Sequence, residues 1–254
     1  MRPIVRNLIG LGGFFLIWEA AARSGLISSD IPPVSTVFAR LFELLGDESF
    51  WRDIIATTLA WAIALVIAVA IAVPAGLLLG SIPGLRLGTR AIVELLRPIP
   101  SVALIPAALV LIGTGPETKI TLAVYASVWP ILFNTIYALD EIDPLLEDTA
   151  RACGAGRIRL LTSVALPHAA PFVFTGIRLS AAVALIVVIS VEYIAGGVHG
   201  IGTFALAAYD GGGRMDLVLA ATIVAGVLGY LINDGLERVG RWWFPWSTVA
   251  GERR

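Results

Sequence analysis

One cysteine, Cys153, in a chain of 254 residues excludes an internal disulfide and any site built from several thiolates. Lysine is equally scarce. Lys119 is the only one, and because Thr118 precedes it, the phosphate-cradling pattern G-x-x-x-x-G-K-[ST] occurs nowhere. If ATP drives this protein, another chain must bind it. Charge is thin as well, at 15% of residues, with a formal net charge of -1 and a pI near 6.1. No basic surface able to follow nucleic-acid phosphates is indicated, so nucleic acid is not an expected partner. Neither H-E-x-x-H nor G-x-S-x-G is present, and His168 and His199 lack neighbouring ligands, so no metal site and no common hydrolase chemistry is signalled.

What the chain has instead is apolar sequence. Hydrophobic residues make up 57% of it and the mean hydropathy is +0.87, outside the mix of a soluble domain. From Ile54 to Leu85 no side chain is charged. About 20 apolar residues already cross a bilayer core of roughly 30 Å as a helix. The expectation is an all-α integral membrane protein, one transmembrane domain over 1–254 with about six spans near 7–22, 54–80, 91–112, 119–139, 172–195 and 217–233. The first segment, MRPIVR followed by an apolar run, also resembles a secretory signal peptide. Trp18 and Glu19, which stand where small residues would precede a cleavage site, favour a retained span.

Arginine sets the expected orientation. With the N-terminus inside, Arg2, Arg6, Arg86, Arg90, Arg151, Arg157, Arg159, Arg238, Arg241, Arg253 and Arg254 fall on the cytoplasmic side, against fewer outside, which predicts both termini in the cytoplasm. The segment RWWFPW, 241–246, reads as an interfacial anchor. YDGGGRMD, 209–216, reads as a loop.

Several polar positions interrupt the apolar runs. Pro98, Pro100 and Pro106 make a regular helix improbable in the third span, and broken backbone at membrane depth survives only against protein or a water-filled cavity. That span is expected to line the interior. Glu192 lies near the outer end of the fifth run, where a carboxylate is costly in lipid; a pathway role and a place at the water boundary both fit. Arg97, Pro98, Pro100, Ser101, Asn134 and Glu192 are the candidate pathway residues. Glu94 and Arg97 have the spacing of a structural ion pair, and Arg178 can snorkel to the headgroups.

The long connection between the fourth and fifth spans carries its own pattern. Asp143 and Pro144 start a short amphipathic helix that Gly154 and Gly156 break, and a second piece, RIRLLTSVAL, is expected to end at Pro167. Two short helices at an angle would form a cytoplasmic knob; helices lying on the membrane surface are the alternative.

DTARACG, nine residues, then VALP resembles the EAA loop of ATP-binding-cassette importer permeases. Asp148, Thr149 and Ala150 stand in the E-A-A places, Gly154 in the glycine place, Val164 in that of isoleucine, and Leu166 and Pro167 close it. The stretches IPPVSTVFARLFELL, LRPIPSVALIPAALVLIGTG and VEYIAGGVHGIG are similar to permeases for nitrate, taurine and alkanesulfonates. The resemblance implies a type I importer permease of MetI-like fold in a bacterial inner membrane. It would be paired with a second permease copy, two ATPase subunits and an external binding protein. Asp148, Thr149, Ala150, Arg151, Gly154, Ala155, Val164, Leu166 and Pro167 would then contact the ATPase, and ATP with magnesium would be bound by that partner, leaving no cofactor in this chain. An ion-coupled secondary transporter is the alternative that the embedded acids and broken helix permit.

Overall fold

A computed structural model describes residues 3–25, 28 and 30–246. Arg2, Arg253 and Arg254, which entered the charge count, lie outside the described residues. Helices follow one another throughout, and no strand occurs among the described residues. They are α1 (Pro3–Arg23), α2 (Val34–Leu45), α3 (Glu48–Ser81), α4 (Pro83–Leu96), a 3-10 turn (Ser101–Leu104), α5 (Ile105–Leu111), α6 (Pro116–Asp140), α7 (Pro144–Ala152), α8 (Arg157–Leu160), a π turn (Leu161–Ala165), α9 (Leu166–Ala195), α10 (Ile201–Asp210) and α11 (Met215–Trp243).

Four stretches among the described residues are long and apolar enough to cross a membrane: Glu48–Ser81, Pro116–Asp140, Ile158–Ala195 and Met215–Trp243. They cover the second, fourth, fifth and sixth expected spans. The first expected span is α1. The third is broken as its prolines require: α4 stops at Leu96, residues 97–100 leave the helix, and Pro100 leads into the 3-10 turn.

The expectation that the second amphipathic piece ends at Pro167 is overturned. Arg157–Leu160 runs through the π turn directly into α9. The Leu166 N–H reaches back to Leu161 O, a wider loop than an α-turn, just ahead of the proline. That local widening lets the helix absorb a ring that a regular ladder rejects.

The chain divides into two compact units, Met1–Thr57 with Glu192–Leu228 and Thr58–Val191 with Gly229–Arg254. The first has a core of Val37, Leu44, Phe50, Ile201, Ala205, Ala220, Ala221 and Val224, with Trp18 packed against it. Phe50 and Phe204 meet edge-on at 4.8 Å between centroids. Glu19 of α1 accepts the Ser35 N–H (3.0 Å) and hydroxyl (2.8 Å), and so caps the first turn of α2 from outside.

The second unit is held by small residues. A Cβ on Gly76 would lie 2.6 Å from Thr135 Cβ, and one on Gly80 2.6 Å from Leu139 Cδ1, so α3 and α6 approach along a G-x-x-x-G face. Ser180 Oγ donates to Ser127 O (2.6 Å) and Ser127 Oγ returns the bond to Ser180 O (3.3 Å), joining α9 to α6. Trp61 Nε1 donates to Ala181 O at 2.8 Å. Lipid tails are as apolar as leucine, so packing and interhelical bonds of this kind do the work that water exclusion does in soluble cores.

Arg178, expected to snorkel to the headgroups, has partners within the protein. Its Nη2 donates to Glu237 Oε2 at 3.1 Å and Asn233 Oδ1 at 3.4 Å, tying α9 to α11. Arg86 of α4 and Asp140 at the C-terminal end of α6 form a fork of two bonds, 2.6 and 2.7 Å. Hydrogen bonding to Asp140 raises the Arg86 guanidinium above its ordinary value.

Candidate functional site

The segment between α6 and α9 is built from local signals. Asp143 Oδ1 accepts the Leu145 N–H at 2.8 Å, and Pro144 follows at the first helical position, so α7 starts with a side-chain cap and a residue that has no N–H to lose. Its far end is a Schellman stop. Gly154 adopts φ +80°, its N–H reaches Arg151 O (2.9 Å), and the Ala155 N–H reaches Ala150 O (3.0 Å). Only glycine enters that backbone region without strain.

Asp148, Thr149, Ala150 and Arg151 therefore lie on α7, and Gly154 and Ala155 form its stop. Val164 sits in the π turn, against which α7 packs, and Leu166 and Pro167 open α9. Arg151 Nη1 and Asp148 Oδ1 are 3.4 Å apart on the surface. The Thr149 hydroxyl donates to Leu145 O, one turn back on the same helix, at 2.7 Å. Leu145, Leu146 and Ile158 are 69%, 52% and 80% exposed. Two successive short helices with three large aliphatic side chains in the open, among charged neighbours, have the composition of a docking surface.

The pathway candidates divide between the two units. Arg97, Pro98, Pro100, Ser101 and Asn134 belong to the second. Arg97 lies with its guanidinium carbon 4.4 Å from the centroid of the Phe133 ring. The ring face of α6 takes the charge because α4 has already ended at Leu96, whose carbonyl accepts the Tyr125 hydroxyl at 2.7 Å. Asn134 Nδ2 donates to Pro130 O at 2.8 Å, taking up a carbonyl, and its Cβ lies 3.0 Å from where a Cβ on Gly176 would stand.

Glu192 belongs to the first unit and is 1% exposed. Thr57 Oγ lies 2.9 and 3.0 Å from its two oxygens and donates to the carboxylate, and the Gly202 N–H donates to Oε2 at 3.1 Å. The same Thr57 oxygen accepts the Ile201 N–H at 2.9 Å. One α3 turn earlier, Asp53 Oδ1 accepts the Gly200 N–H at 3.0 Å and lies 3.2 Å from His199 Nδ1. Three consecutive backbone N–H groups at the start of α10 are thus each taken by a side chain of α3 or α9. A helix start without a cap of its own leaves such donors orphaned, and here they are satisfied from outside. Gly200 has φ +154°, and a Cβ there would lie 2.3 Å from the Glu192 carboxyl carbon, so the carboxylate rests directly on its backbone. Sequence reasoning found Glu192 but missed Asp53, Thr57 and Gly200. The i, i+4 spacing of Asp53 and Thr57 on one helix face was the available signal.

Residues 72–239 match the family described as the inner membrane component of binding-protein-dependent transport systems. The taurine transport system permease protein TauC of Escherichia coli is 28% identical over 96% of this chain and 90% of its own length. The bicarbonate transport system permease protein CmpB of Synechococcus elongatus is 30% identical over 94% and 89%. Among solved structures, a bacterial transporter involved in the import of the acidic polysaccharide alginate superposes with a TM-score of 0.64 at 21% identity, over 94% of this chain and 92% of that one.

Proposed function

We infer the role of this chain from its family: it belongs to the inner membrane components of binding-protein-dependent transport systems, and it is the multi-pass permease subunit of an ATP-binding-cassette importer. We propose that its 254 residues act as one transmembrane permease domain in a bacterial inner membrane, with both termini in the cytoplasm. A second copy would pair with it to enclose the pathway. The arginine bias supports that orientation.

The chain has no nucleotide site of its own sequence type, so force must enter from a partner. We propose that ATP and magnesium are held by separate ATPase subunits, and that α7 with its Schellman stop is the piece those subunits grip. The observation that carries this reading is the exposed pair Leu145 and Leu146 on α7, a helix fixed at both ends by its own caps, followed by exposed Ile158 on α8. Because Ile158–Ala195 is continuous, a push on residues 157–166 is delivered along a rigid rod into a membrane span. ATPase closure then favours one of two arrangements of the spans by differential affinity. Arg97, Pro98, Pro100, Ser101 and Asn134 of the second unit border the pathway in this reading; within the first unit, Glu192 caps α10.

The family description supports an external binding protein as the solute donor, and the taurine and bicarbonate relatives support a small acid-bearing solute. The test is reconstituted uptake with ATPase and binding protein. Gly154→Asp places a side chain at φ +80°, and Ala150→Asp adds charge to the gripped face. Either should abolish ATP-driven uptake while the chain still inserts normally. Unchanged uptake in both would remove α7 from the coupling route.

A further inference from the structure

A cavity of about 800 Å³ lies between the start of α9 and the end of α11, within the second unit. Arg178, Arg241 and Glu237 supply its charge. The two guanidiniums share one carboxylate, Arg178 at 3.1 Å and Arg241 at 3.6 Å, which leaves one positive charge in excess. The next arginine, Arg238, is neutralised separately by Asp234 at 2.7 Å. Each guanidinium carries five N–H donors in a planar fork, and Glu237 and Asn233 engage only some of them. Arg178 Nε and His168 Nε2, both in lining residues, are buried with no hydrogen-bond partner among the described residues. Arg178 Nε is a donor in every state, and a buried donor left so calls for an acceptor that completes the site.

Phe172, Phe174, Phe244 and Trp246 give the rest of the wall its aromatic character, beside Pro167 and Pro171. These rings continue the RWWFPW segment at the end of a helix apolar enough to span a bilayer, and indole and phenyl groups settle at headgroup depth. A ligand fitting such a wall carries an anionic head with several acceptor oxygens and an apolar body. We propose that this cavity binds an anionic phospholipid, its phosphate held by Arg241 and Arg178 and its acyl region lying along the rings. Planar guanidinium forks match phosphate oxygens, and basic pockets between spanning helices are suited to acidic headgroups. Free phosphate shares the head chemistry but leaves the aromatic wall unused. The proposal rests on the chain being a membrane protein and is independent of the ATPase reading.

The full-length protein, purified as its natural assembly and placed in bilayer discs of phosphatidylglycerol and phosphatidylcholine, tests this by native mass spectrometry of retained lipid. Wild type should retain phosphatidylglycerol in preference. Arg241→Gln should lower that retention about fivefold, the factor one arginine contributes to acidic-lipid attraction. Glu237→Gln should raise it by a similar factor, because it frees both guanidiniums; a mere packing defect lowers retention in both variants. Equal retention of the two lipids by wild type, or shifts of the same sign in both variants, overturns the proposal. So does displacement of the lipid by millimolar inorganic phosphate, which assigns the cavity to a free anion.

Discussion

Replacing Thr57 by valine removes one hydroxyl from a fully buried position and changes the side-chain shape little. The hydroxyl has two roles, donating to the Glu192 carboxylate and accepting from the Ile201 N–H. A hydrogen bond to a charged group is worth about 1.5 to 3 kcal/mol, and a buried donor left unsatisfied costs about 1 to 3 kcal/mol. The two penalties overlap, because the carboxylate keeps its bond from Gly202, so the expected loss is about 2 to 4 kcal/mol of unfolding free energy. Equilibrium unfolding in mixed micelles measures it. Thr57→Ser, which keeps the hydroxyl, should recover most of the loss. Combined with Glu192→Gln, the double-mutant cycle should show a coupling of about 1 to 2 kcal/mol. If Thr57→Val stays within about 0.5 kcal/mol of wild type, the range of an ordinary surface change, the outside capping of α10 contributes nothing and the reasoning fails.

Gly200→Ala should be at least as damaging as Thr57→Val in the same unfolding assay, since the new Cβ would fall 2.3 Å from the Glu192 carboxyl carbon. Gly76→Ala, whose Cβ would meet Thr135 at 2.6 Å, should destabilise by about 1 to 3 kcal/mol through overpacking. Gly84→Ala, with open space around its Cβ, should be neutral or stabilising by up to about 1 kcal/mol. Equal effects at Gly76 and Gly84 would show that the close approach of α3 and α6 is not a packing constraint.

The features legible in sequence are those whose causes are local. Asp143-Pro144 and Gly154 act within one helix turn, so both ends of α7 could be placed from residue type alone. The prolines from 98 to 106 likewise announced a broken span. Pro167 misled because the feature that accommodates it, the π turn at 161–165, has no residue signature of its own. Glu192 was conspicuous as an expensive charge, but Thr57 is 135 positions away along the chain and only the fold brings it near. The partner of Arg178 was hidden for the same reason, since Glu237 is 59 positions distant. The Gly76–Gly80 spacing is present in the sequence but was not read as a packing face, and its partner, Thr135 with Leu139, lies far along the chain.

Cys153, the sole cysteine and exposed at the end of α7, permits the most direct measurement. A membrane-impermeant maleimide should leave it unlabelled in intact cells and label it in inside-out vesicles stripped of ATPase subunits, with protection returning when those subunits are added back. Labelling from outside intact cells, or labelling in vesicles that the ATPase never diminishes, would contradict coupling through this segment.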